Sequence, residues 1–145
     1  MNITFVRLRP ASSMTAAAAE SKRREGTTVV ELTETDEAAL EATLAGGLLP
    51  VTQGHADPRA AAWVLPAGSG PDVEPGWRIT IDAGTASFES LLDEVARLQP
   101  AFLRSGRARV AELSRITSLP GIATALSVFT DDVDSARAAV SAGAT

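Results

Sequence analysis

Trp77, Ile79 and Ile81 alternate with Arg78, Thr80 and Asp82, and Phe88, Leu91, Leu92, Val95 and Leu98 follow at helical spacing. A period of two sorts side chains onto the two faces of a strand. Recurrence at three and four residues gathers them on one stripe of a helix. A half-buried strand followed at once by an amphipathic helix commits the chain to layers of sheet and helix.

Similar units stand on either side. Residues 27–32 (TTVVEL) read as a strand. Thr33 follows as a helix cap, with Glu34, Asp36 and Glu37 in the first turn, Leu40 and Leu44 facing inward, and Gly46-Gly47 as the stop. Residues 122–129 read as the last strand. Thr130 caps a final helix with Asp131, Asp132 and Asp134 at its start, Val133, Ala136 and Val140 as its stripe, and Gly143 at its end. Residues 30–47 and 127–144 align without gaps, either because ordinary capping chemistry recurs or because a βα half is duplicated.

Between these units, residues 48–52 and 60–65 read as strands, the first placed at an edge by Pro50. Residues 66–76 hold three prolines and three glycines, the composition of a hairpin-like connection. Pro100 ends or kinks the helix before it, or starts another over 101–104, and residues 108–116 suit a further helix with Val110 and Leu113 inward. Residues 2–8 form a strand, and residues 10–26 a long connection with a short helix over 15–24. That first strand therefore reads as an arm able to pair elsewhere, including on a neighbouring molecule. The order predicts an α+β fold, a ferredoxin-like βαββαβ sandwich with an extra N-terminal strand and arm and a C-terminal helix. Residues 1–26 would be the arm and 27–145 a single domain. Helices would cover one face of a mainly antiparallel sheet, leaving the other partly exposed or available as a dimer surface.

A chain of 145 residues is long enough to bury roughly two-thirds of its unfolded surface, so it needs no disulfide or structural metal. It has no cysteine, no tyrosine, one histidine and one lysine. Thiol catalysis, cysteine-ligated zinc and iron–sulfur clusters are excluded, and most acid–base constellations lose their usual members. No apolar run approaches the roughly 20 residues of a membrane-spanning helix. Arg7 and Arg9, with no acid before Glu20, suggest an organelle transit peptide, but Pro10 and the scattered apolar residues argue against it. The cytoplasm is the expected location. Net charge is +3 over residues 1–26, −9 over 27–100 and +1 over 101–145. The acidic centre would repel a phosphate backbone, which disfavours nucleic acid as a partner.

The candidate chemistry is sparse. His55 and Asp57, in Gly54-His55-Ala56-Asp57-Pro58-Arg59, could serve as base and orienter, with Arg59 or Arg78 clamping an anion and Asp82 as an alternative carboxylate. Asp57 equally suits an Asx turn. Trp63 and Trp77, expected on neighbouring strands, could floor an apolar pocket or a subunit contact, or simply fill the core. Gly68-Ser69-Gly70 lacks the Gly-Lys-Ser/Thr of a phosphate loop and reads as a turn. The Asp131–Asp132–Asp134 cluster is explained by the helix dipole, so no metal or other cofactor is expected. Arg104, Arg107, Arg109 and Arg115 form a basic patch suited to an anion, or to a solvated helix face.

Residues 126–145 (LSVFTDDVDSARAAVSAGAT) resemble the strand–helix unit of glyoxalase-like, vicinal oxygen chelate domains, and are equally similar to βα units of phosphate-binding barrels. The metal-binding His and Glu of the glyoxalase group have no matching positions here, so the resemblance bears on fold alone. The function expected is a non-enzymatic binding, accessory or structural module that self-associates, with another protein or a small anionic ligand as further partners. The alternative is a small-molecule enzyme built on His55 and Asp57.

Overall fold

The computed structural model describes residues 4–8, 15–32, 37–68, 73–128 and 133–144. The chain forms two compact units, Met1–Val64 and Leu65–Thr145. The caps expected at Thr33 and Thr130, the acids Glu34, Asp36, Asp131 and Asp132, and Ser69-Gly70 lie outside the described residues. No described helix is long and apolar enough to cross a membrane.

The first unit runs β1 (Thr4–Leu8), α1 (Ala16–Arg24), β2 (Thr27–Leu32), α2 (Glu37–Ala45), β3 (Leu49–Gln53) and β4 (Ala62–Pro66), the division from the second unit falling after Val64. β1 pairs with β2, β2 with β3 and β3 with β4, all parallel. Val30 and Leu32 of β2 close over Ala19 of α1, Ala39 of α2 and Leu48. This core is built on small residues, and the helices come close. A Cβ on Gly46 would lie 2.1 Å from the Cβ of Ala19, so only glycine fits there.

The second unit runs β5 (Ile79–Asp82), α3 (Phe88–Leu98), β6 (Phe102–Ser105), a 3₁₀ turn (Arg107–Arg109), α4 (Val110–Thr117), β7 (Ala125–Val128) and α5 (Val133–Ser141). β5 pairs with β6 and β6 with β7, again parallel. Ser87 caps α3, its Oγ accepting from the Ser90 N–H at 3.2 Å, and Gln99 ends the helix in the left-handed region at φ 48°. Leu91, Val95 and Leu98 of α3 and Val110, Leu113 and Ile116 of α4 are buried with Ile79, Ile81, Leu103 and Leu126 of the strands.

The antiparallel, ferredoxin-like sandwich is therefore corrected. Parallel strands alternate with helices, a Rossmann- or flavodoxin-like kind of arrangement. Three readings produced the error. Residues 102–105 form β6 where a helix over 101–104 was one expectation, which turns the second unit into a regular alternation of strand and helix. The N-terminal strand pairs with β2 beside it in register, Val6 with Val30 and Leu8 with Leu32. Pro50 sits in a strand paired on both sides. Its carbonyl accepts from the Ala61 N–H at 2.8 Å, so its nitrogen also faces the entrance of β4, just before the first paired residue, where no donor is needed.

Candidate functional site

In parallel α/β proteins the carboxyl ends of the strands are where loops assemble ligand sites. In the first unit Glu37, Asp57 and Arg59 meet there. β3 ends at Gln53, and residues 54–61 return to β4 without a helix, a short path for a parallel crossover. A polar staple holds it. Asp57 accepts from its own turn: the Arg59 N–H donates to Asp57 Oδ1 at 2.9 Å, closing an Asx turn. The Arg59 guanidinium then grips both Asp57 oxygens, Nε to Oδ1 at 3.1 Å and Nη2 to Oδ2 at 2.9 Å. The same guanidinium reaches Glu37 at the start of α2, Nη2 to Oε2 at 2.8 Å and Nη1 to Oε1. Trp63 Nε1 donates to the Asp57 carbonyl at 2.6 Å, and Thr52 Oγ1 to the His55 carbonyl at 3.0 Å.

This arrangement fixes the charges. The hydrogen bonds from Arg59 hold the Asp57 carboxyl at about 2, against an ordinary 3.8, and draw Glu37 down as well, while the two acids push the Arg59 guanidinium up. His55 stands apart. Its Nε2 is 3.9 Å from Asp57 Oδ2, beyond hydrogen-bond range, and its side chain is 52% exposed. The cluster thus positions Asp57 and Arg59 for each other and leaves the imidazole in solvent.

Behind the staple lies a pair that the sequence reading did not single out. Glu31 of β2 is fully buried and accepts a hydrogen bond from Gln53 Nε2 of β3. Glu31 is the register partner of Val51, so both lie on the sheet face away from Val30, Leu32 and the helices. The only sequence signal was an acid inside an otherwise apolar strand.

The second unit arranges its strand ends differently. Asp82, Arg104 and Ser127 are register partners across β5, β6 and β7, and Thr80, Phe102 and Ala125 form the row before them. Both rows lie on the face opposite Ile79, Ile81, Leu103 and Leu126, which are buried beneath α3 and α4. Asp82 is exposed and accepts from the Gly84 N–H through Oδ1 at 3.2 Å; Arg104 and Ser127 are half-buried, and Phe102 is 46% exposed. Phe102 was missed because its strand is four residues long, too short to show a period. Pro100 and Gly106 bracket it and were the available signal.

Trp77 and Arg78 lie in the turn before β5. Trp77 is 73% exposed, and Arg78 is half-buried. Trp77 is not on a strand, and Trp63 belongs to the other unit. The arginine patch is distributed: Arg104 on β6, Arg107 and Arg109 in the 3₁₀ turn, Arg115 on α4 with its guanidinium 5.2 Å over the Phe88 ring. Arg109 bonds Glu112 and the Gly84 carbonyl. Glu94 of α3 is buried, and both its oxygens accept from the Gly68 N–H, at 3.1 and 2.8 Å, anchoring the loop after β4. A cleft of about 260 Å³ lies at the opposite, amino-terminal edge of this sheet, lined by Val95, Gln99, Pro100, Pro120 and Ile122 among others, with no titratable side chain in its wall. Comparison with protein-family models finds no match, and comparison with curated proteins finds none of significant similarity.

Proposed function

We propose that this chain is a binding and assembly module that works in the cytoplasm by associating with copies of itself. The observation that carries the reading is the exposure of large apolar side chains on the helix-free side of parallel strands, Phe102 at 46% and Leu49 at 48%. Parallel sheets occur almost only with both faces covered, because their strands are apolar on both sides. Exposed apolar surface on such a face marks a contact with another molecule.

The polar chemistry supports holding over transforming. A general base needs its proton acceptor free and oriented. Here the carboxylate next to the single imidazole is spent on Arg59, and the imidazole is not hydrogen-bonded to it. Sedimentation velocity across the micromolar range tests the proposal. A mass-weighted average that rises with concentration supports it, and a single monomeric boundary throughout overturns it.

A further inference from the structure

We infer that the Asp57–Pro58 peptide bond is a self-cleavage site, at which the Asp57 side chain attacks its own main-chain carbonyl and Arg59 holds that attack in check. The cleavage is one event on the chain itself, and it stands whether or not the chain self-associates. The Asp57 carbonyl carries the inference. Its oxygen accepts two hydrogen bonds, from the Ala60 N–H at 3.0 Å and from Trp63 Nε1 at 2.6 Å. A β-turn with proline in its second position supplies the first. The second comes from a half-buried side chain of β4, and no turn requires it. Two fixed donors on one carbonyl oxygen are the arrangement that stabilises the oxyanion of a tetrahedral intermediate. They stand at the one Asp–Pro pair in the chain.

The nucleophile and the leaving group suit that bond. A carboxylate attacks as its anion. The hydrogen bonds from Arg59 hold the Asp57 carboxyl at about 2, so it stays ionised in mild acid. The attacking oxygen and the carbonyl carbon belong to one residue and close a five-membered ring, which makes the step intramolecular. The proline nitrogen is that of a tertiary amide, more readily protonated than its neighbours, and Pro58 is exposed to the water that protonates it. In the step, an Asp57 carboxylate oxygen bonds to the Asp57 carbonyl carbon. The bond from that carbon to the Pro58 nitrogen breaks, and the nitrogen keeps the electron pair and takes up a proton. The products are a cyclic anhydride at Asp57 and a free amine at Pro58. Water then opens the anhydride and releases protons in return, so the net reaction adds one water across the peptide bond.

The restraint is equally specific. Arg59 Nε and Nη2 grip the two Asp57 oxygens, and Glu37 holds the same guanidinium from α2. His55, the other charged neighbour when protonated, is 3.9 Å from Asp57 Oδ2 and holds nothing in place. The carboxylate turns onto its own carbonyl only when the arginine lets go.

The test incubates the full chain in mildly acidic water enriched in heavy oxygen and follows it by mass spectrometry, with circular dichroism to establish that each variant is folded. Arg59→Ala is expected to yield residues 1–57 and 58–145, with one heavy oxygen taken up at Asp57. Its rate is expected to exceed that of the unaltered chain about tenfold or more. Trp63→Phe, added to Arg59→Ala, keeps a ring and removes the donor, and is expected to slow cleavage by about 100-fold. Asp57→Ala in the same background is expected to abolish it. An Arg59→Ala chain that stays intact overturns the proposal. So does cleavage that Trp63→Phe leaves unchanged, or that runs no faster than in the same variant unfolded by guanidinium chloride, since the bond would then break by its own lability. If Arg59→Ala does not fold, Glu37→Gln, which loosens the clamp and leaves the turn intact, replaces it in every arm.

Discussion

The two units are wound alike and finish their helix-free faces differently. Each lays parallel strands side by side in sequence order and, apart from the β3–β4 loop, returns through helices that bury one set of alternating side chains, Val30 and Leu32 in the first, Ile79, Ile81, Leu103 and Leu126 in the second. On the other side the first unit buries Val51, Val64 and Glu31, which half-buried Gln53 bonds. The second presents Asp82, Phe102 and Arg104 at least partly to solvent. The same alternation of strand and helix therefore yields one sheet face that buries its acid, Glu31, though Leu49 is 48% exposed, and a more open one that leaves its acid, Asp82, and Phe102 exposed. The more open one is where partner binding is affordable, since Phe102 gains by being covered.

The sharpest contrast lies between two adjacent residues of β6. Leu103→Ala removes a fully buried side chain beneath α3 and α4 and is expected to cost about 2–5 kcal/mol in urea unfolding. Phe102→Ala, one residue earlier and on the other face, is expected to stay within about 0.5 kcal/mol when measured at high dilution. Equal losses at the two positions would break the distinction between the faces.

A smaller loss is expected in the first unit. Gly46→Ala pushes a methyl group against Ala19 and is expected to cost about 1–3 kcal/mol, since α1 must move away from α2. Gln53→Ala takes a donor from the buried Glu31 carboxylate, with an expected cost of about 1–3 kcal/mol. The corresponding change on the open face, Ser127→Ala, is expected to be near neutral, because water replaces what the hydroxyl supplies. Thermal or urea unfolding of the three variants checks the order.

Much of this layout was legible in the residues, and the parts that were not share a cause. Phe88–Leu98 and Val110–Thr117 formed helices where apolar spacing predicted them, because period and capping are local properties. Strand direction is not local. Ile79 and Ile81 alternating with Thr80 and Asp82 describe any strand with one covered face, and the sequence carries no mark of whether its neighbour runs the same way. The decisive element was β6, four residues with no visible period. Once it is a strand, every connection in the second unit becomes a helical crossover. At the candidate site, His55, Asp57 and Arg59 were visible as a cluster because they are adjacent in sequence. Glu37, the fourth member, joins them from the start of α2, and nothing local announced it.

One expected effect is electrostatic. Asp57 is held at about 2, below its ordinary 3.8, so its pairing with Arg59 stabilises the fold fully above about pH 4 and fades as pH falls through 2. Asp57→Asn is thus expected to destabilise modestly at pH 6, with the difference from the unaltered chain shrinking towards pH 2. A penalty independent of pH would show that the turn, and not the charge, holds residues 54–61 in place.

The absence of cysteine makes the open face directly measurable, since a single introduced thiol reports on its own surroundings. Ala125→Cys places that thiol beside Phe102, and Ala111→Cys places one on the exposed side of α4 as the reference. The rate of thiol labelling at position 125 is expected to fall as protein concentration rises while the rate at position 111 stays constant. Rates at both positions that are equally indifferent to concentration would contradict self-association through this face.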